Sequence, residues 1–138
     1  METTIIMTSL IVLMVILLFI MVSFANKKKD VVKKQEIFNR LGDLELGVQS
    51  MEGSVRRDTI VKLDNLLSKA FQYYYNNSNL CGDNLKKAKN IFKRKEYDDL
   101  WNVHKIRNNI VHDDYEIDTQ EAVRIYNIYK FSIKKILK

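Results

Sequence analysis

Apolar residues follow three successive patterns along this chain. From Ile5 to Phe24 nearly every position is Ile, Leu, Val, Met or Phe, and from Thr3 to Asn26 no residue is charged. Twenty helical residues at about 1.5 Å each span about 30 Å, the thickness of a bilayer's hydrocarbon core. A soluble helix of that length normally keeps a polar stripe, and this one has none. A transmembrane anchor over residues 1–26 is therefore expected. The competing reading is a cleaved signal peptide, with Ser23-Phe24-Ala25 as a small-x-small site. The absence of a basic residue before the span, its length, and the immediate Lys27-Lys28-Lys29 argue against cleavage.

The second pattern covers residues 27–55, a basic juxtamembrane segment followed by a helical stalk. Ile37, Leu41, Leu44, Val48, Met51 and Val55 are spaced 4, 3, 4, 3, 4, an alternation that fits the a and d positions of a heptad. Arg40 and Glu45 then fall where a parallel partner would pair them across chains. The seam is short, and Gly42, Gly47 and Gly53 each cost about 1 kcal/mol inside a helix. Self-association as a coiled coil stands beside a plainer alternative, one amphipathic helix lying on its own domain or on the membrane.

The third pattern, over residues 56–138, is all helix. Ile60, Leu63, Leu67, Ala70, Phe71 and Tyr74 share one face. A polar loop follows at Asn76-Asn77-Ser78-Asn79 and Gly82-Asp83-Asn84, then a short helix over residues 84–94. A helix over 96–112 is apolar on two sides, with Tyr97, Leu100, Trp101, His104 and Val111 along one and Val103, Ile106 and Ile110 along another, so it should be central. Asp113-Asp114-Tyr115-Glu116-Ile117 interrupts the pattern, and Asp118 with Glu121 three residues on reads as a helix start. Ala122, Ile125, Tyr126, Tyr129, Ile133 and Ile136 line the last helix. No window alternates as a strand does. The expected fold class is all-α: an N-terminal transmembrane helix, a stalk and a small four-helix bundle. A core of that size is marginal alone, a second reason to expect a homodimer.

Composition sharpens this picture. Among 138 residues there are no prolines, four glycines and one cysteine, which excludes collagen-like, proline-rich and disulfide-rich scaffolds. Only Glu2 is charged before Asn26, so the remaining 113 residues hold all 23 basic and 16 acidic residues, a net +7. The cluster from Lys27 to Lys34 just after the span holds the C-terminal side in the cytoplasm and the N-terminus outside. The same lysines would lie at anionic headgroups of the lipid bilayer, each worth about 1 kcal/mol near the surface.

Candidate chemistry is confined to one polar cluster. Isolated glycines make no phosphate loop. Two histidines, one cysteine and no H-x-x-x-H or C-x-x-C spacing predict no metal site and no cofactor. Within Trp101-Asn102-Val103-His104-Lys105-Ile106-Arg107-Asn108-Asn109-Ile110-Val111-His112-Asp113, helical geometry places His104, Asn108 and His112 on one drifting stripe, with Arg107 beside it. Imidazole can shuttle protons near neutral pH, and a guanidinium can grip a phosphate bidentately. That pairing suits metal-independent RNA cleavage. The same residues could instead hydrogen-bond the following acidic turn and cap the helix, as polar networks often do.

Arg107-Asn108-Asn109-Ile110-Val111-His112 matches the R-x4-6-H motif of the HEPN superfamily, including the Asn often found directly after the Arg. Residues 57–138 resemble that family in setting too: an aromatic-bearing helix, a short acidic break and a long closing helix. The local run also resembles that of membrane-anchored bacterial proteins with HEPN-like tails. The resemblance implies an all-α bundle that dimerises with two motifs facing one another. In active members it implies a metal-independent endoribonuclease in which Arg107 contacts phosphate and His112 does the acid–base work. On the residue stripe itself, Asn108 between the two histidines is the expected orienting residue and His104 a second candidate base. Non-catalytic members of the family bind nucleotides, RNA or protein partners. A membrane-tethered ribonuclease or RNA-binding module thus stands against a non-catalytic adaptor that docks an unknown protein partner.

Overall fold

A computed structural model describes residues 1–113 and 115–138, Lys29 by its backbone only; Asp114 of the expected acidic break lies outside the described residues. The chain is all-helical, with no strand among the described residues. Its elements are α1 (Glu2–Asp43), α2 (Glu45–Val48), α3 (Gly53–Tyr75), α4 (Cys81–Lys87), a 3-10 turn (Ala88–Asn90), α5 (Arg94–His112) and α6 (Thr119–Ile136). They divide into two compact units, Met1–Gln35 and Glu36–Lys138.

The first unit carries the apolar part of α1. It is long and apolar enough to cross a membrane, with a mean hydropathy of 3.2 over its most apolar window and none of that window buried. Three of its hydroxyls bond to the helix's own carbonyls: Thr4 Oγ1 donates to Met1 at 2.6 Å, Thr8 Oγ1 to Thr4 at 3.0 Å and Ser9 Oγ to Ile6 at 2.8 Å. A helix surrounded by hydrocarbon needs that, because it has no water to turn to.

The second unit packs α3, α5 and α6 around one core. Leu63, Leu67 and Phe71 of α3, Leu100 and Val103 of α5, and Ile125, Tyr129 and Ile133 of α6 are fully buried. The stalk pattern resolves differently from a continuous helix over 30–55. The helix breaks at Leu44, α2 ends at Val48, and residues 49–52 are non-helical. Ile37, Leu41 and Val48 are buried in the unit's own core, while Met51 is 91% exposed. Packing decides this. Gly47 lies so close to α3 that a Cβ there would overlap the Thr59 hydroxyl, and the Tyr126 hydroxyl donates to the Leu41 carbonyl at 3.1 Å. Arg40 pairs with Glu36 one turn back, and Glu45 accepts from Tyr126. Arg56 ties the 49–52 link down by donating to the Ser50, Met51 and Ile117 carbonyls.

The polar run after α3 is also more ordered than a solvated loop. Asn76 closes α3 in the left-handed conformation, φ 49°. Asn77 and Asn84 exchange two side-chain hydrogen bonds, at 2.8 and 3.0 Å. That clasp draws Gly82-Asp83-Asn84, expected in the loop, into the first turn of α4, and the helix ends at Lys87 rather than near residue 94. Asp118 caps α6 as expected, accepting from the Glu121 amide at 2.7 Å.

Candidate functional site

Asp64 occupies a core position on α3. Ile60, Leu63, Asp64 and Leu67 follow the i, i+3, i+4, i+7 rule, so the carboxylate is carried inward with its apolar neighbours and is 2% exposed. A buried carboxylate must be met by donors or charge. His104 Nδ1 lies 2.8 Å from Oδ1, and the fully buried Tyr129 hydroxyl donates to the same oxygen at 3.0 Å. The Arg107 Nε stands 3.6 Å from Oδ2, an ion-pair distance without a hydrogen bond. Cys81 Sγ, from the first turn of α4, lies 3.8 Å from Oδ1. Four helices thus converge on one carboxylate.

The charge states follow from the surroundings. Burial, reinforced by Asp64, pushes the Tyr129 hydroxyl well above its ordinary pKa, so it stays a donor. Burial and then Asp64 push the Cys81 thiol up strongly, so it is held as the neutral thiol. A carboxylate can only accept, so His104 Nδ1 is the donor to Asp64, and in the neutral imidazole this tautomer carries its lone pair on Nε2. Nε2 faces α4 at Gly82, where an added Cβ would sit in ordinary contact with it at 3.5 Å. Trp101 packs edge-to-face on the imidazole, with ring centroids 5.8 Å apart.

This cluster forms one wall of a cavity of about 470 Å³ between α3, α4 and α5, within the usual range for small-ligand sites. Asp64, Cys81, Trp101, His104, Arg107 and Asn108 line it, with Lys86 and Asp83 at its edge paired to each other at 3.2 Å. A larger groove of about 620 Å³ lies by Arg40, Lys62 and Lys69. It gathers no comparable chemistry, since Arg40 and Lys62 are each held by a carboxylate one turn away.

Of the four residues singled out from sequence, three meet here. His104, Arg107 and Asn108 share the cavity; His112 does not line it and is exposed at the C-terminal end of α5. Five residues of helix turn His112 about 140° away from Arg107. Asn108 was expected to orient the histidines, and it instead accepts from Arg107 Nη1 at 3.0 Å, steering the guanidinium. Asp64 and Cys81 escaped the sequence pattern, and Tyr129 was legible there only as a core position of the last helix. The one available signal was an acidic residue at a core position of the α3 stripe. Comparison with protein-family models, curated proteins and solved structures gave no significant match.

Proposed function

We propose that this chain is a single-pass membrane-anchored protein whose HEPN-like domain faces the cytoplasm and acts on RNA as a metal-independent endoribonuclease. The observation that carries the reading is the His104–Asp64 pair sharing a cavity with Arg107. Asp64 fixes the imidazole tautomer and steadies the imidazolium that forms, the role a carboxylate plays behind a catalytic histidine. His104 Nε2 takes the proton of a ribose 2′-hydroxyl. The 2′-oxygen bonds to the adjacent phosphorus, the bond to the 5′-oxygen breaks, and the proton passes to that leaving oxygen. The product ends are a 2′,3′-cyclic phosphate and a 5′-hydroxyl. Arg107, aimed by Asn108, offsets charge on the phosphoryl oxygens. The basic balance of the chain after residue 25 favours a polyanion in a salt-dependent way.

A non-catalytic adaptor is the second reading. It is favoured by Phe131, 47% exposed, beside a shallow hollow of about 330 Å³ lined by Ile128, Arg124 and Asp99, an apolar spot with a charged rim that suits a protein partner.

The test is RNA cleavage by the full chain in detergent with EDTA present. The expected result is cyclic-phosphate ends that are lost in Arg107→Ala. No cleavage of any RNA, with the domain folded, removes the nuclease reading and leaves the adaptor. A reporter fused after Lys138 should read as cytoplasmic; an external signal overturns the orientation.

A further inference from the structure

Asp64, Cys81 and His104 each direct one metal-ligand atom into a common space. The three atoms lie within 4.8 Å of one another, and they come from three different helices, α3, α4 and α5. We propose that they form a binding site for a thiophilic divalent cation of the zinc class, with a fourth position open to the cavity. A thiolate, an imidazole and a carboxylate are the donor types such an ion prefers, and three protein ligands with one open position is a common arrangement for it.

Two of the three ligand pairs fit with little movement. Ligand lengths of about 2.0–2.1 Å for nitrogen and oxygen and about 2.3 Å for sulfur put tetrahedral neighbours about 3.3 Å apart for N and O and about 3.6 Å for S and O. Here His104 Nδ1 and Asp64 Oδ1 are 2.8 Å apart, and Cys81 Sγ and Asp64 Oδ1 are 3.8 Å apart. Seating the ion would open the first pair by about 0.5 Å and close the second by about 0.2 Å, measured against those bond lengths. The cation takes the place of the proton between Nδ1 and Oδ1, that proton moves to Nε2, and the thiol proton goes to solvent. A dication then meets a carboxylate, a neutral imidazole and a thiolate. An outer support is already in place, since Tyr129 donates to Asp64 Oδ1. Such partners orient ligands and typically account for about 10–100-fold in metal affinity.

The site does not rest on the ribonuclease reading, and the two use opposite sides of one ring. A metal on Nδ1 moves the imidazole proton to Nε2, so a loaded protein has no base facing the cavity. Loading and RNA cleavage are then mutually exclusive states.

The test uses the full chain in detergent, titrated with Co2+ alone and then with Zn2+ in competition. The expected result is one Co2+ per chain, with the intense visible bands of a four-coordinate ion and a near-ultraviolet thiolate charge-transfer band, both erased by one equivalent of Zn2+. Cys81→Ser should lose the charge-transfer band and weaken binding by about 100-fold or more, beyond the loss typical of an outer partner. Wild-type protein that binds no Co2+, or binds it without the thiolate band, overturns the site. So does a Cys81→Ser protein with undiminished affinity. The wild-type spectrum decides alone if the variant does not fold. Because no RNA is present, these outcomes are independent of cleavage.

Discussion

Replacing Asp64 by alanine removes the acceptor on which three helices rely. The Tyr129 hydroxyl and His104 Nδ1 both lose their partner, at 3.0 and 2.8 Å, and Arg107 loses the negative charge 3.6 Å from its Nε. A hydrogen bond to a charged group contributes about 1.5–3 kcal/mol, and breaking a buried pair by deleting one partner costs about 3–5 kcal/mol. The bonds are not additive, so about 3–5 kcal/mol is the expected loss. A unit of the size of Glu36–Lys138 has about 5–15 kcal/mol in total. At about 4–8 °C per kcal/mol, the midpoint should fall by about 12 °C or more. Asp64→Asn keeps an oxygen for Tyr129 and His104 but turns an amide NH2 towards Arg107, so a loss of about 1–3 kcal/mol is expected. The assay is thermal unfolding followed by Trp101 fluorescence. Trp101 is the sole tryptophan and lines the cavity against His104, so it reports on this unit and not on the apolar helix. An Asp64→Ala midpoint within about 4 °C of wild type, equivalent to about 1 kcal/mol, would refute the hub.

Tyr126→Phe removes the hydroxyl that donates to the Leu41 carbonyl and to Glu45. It should cost about 1–2 kcal/mol and raise amide exchange in the last turn of α1 and in α2, measured by hydrogen–deuterium exchange. Gly47→Ala drives a Cβ into the Thr59 hydroxyl and should cost about 1–3 kcal/mol, partly recovered in Gly47→Ala with Thr59→Ala; equal loss in the double variant would contradict the close approach. The Glu96 carboxyl is held below its ordinary pKa, first by a hydrogen bond from Lys135 and then by the Lys93 amide. Its stabilisation is therefore present above the ordinary glutamate value, about 4.3, and is lost as pH falls through the depressed value. Urea midpoints of Glu96→Gln should accordingly fall less steeply than wild type in that acid window.

The all-helical class and the apolar N-terminal helix were legible because each rests on local information. Twenty uncharged positions, all but Thr8, Ser9 and Ser23 apolar, need no tertiary contact to be recognised, and Asp118 with Glu121 announces the start of α6 within four residues. A 4-3 spacing suits any partner surface, so it fits the packing of this segment on its own domain as well as a coiled coil, and it hides the helix break at Leu44. Ile37, Leu41 and Val48 satisfy it against their own domain. The site was half legible for a related reason. His104, Arg107 and Asn108 sit within five residues and their shared face follows from helical geometry. Asp64 and Tyr129 lie 40 and 25 positions from His104, and only the packing of α3, α5 and α6 brings them together. Cys81 needed the Asn77–Asn84 clasp to be seen at all, since the turn residues around it suggest solvent. The absence of paired Cys and His spacings likewise concealed a three-helix metal-ligand cluster.

The most direct test of the central claim compares initial RNA cleavage rates of His104→Ala and His112→Ala in the full chain with EDTA present. The account predicts that His104→Ala loses about 10²–10⁴-fold, the usual worth of a positioned acid–base group, while exposed His112→Ala stays within about twofold, a difference of about 0.4 kcal/mol. The reverse order, with His104→Ala active and His112→Ala dead, would contradict it and assign the chemistry to the C-terminal end of α5.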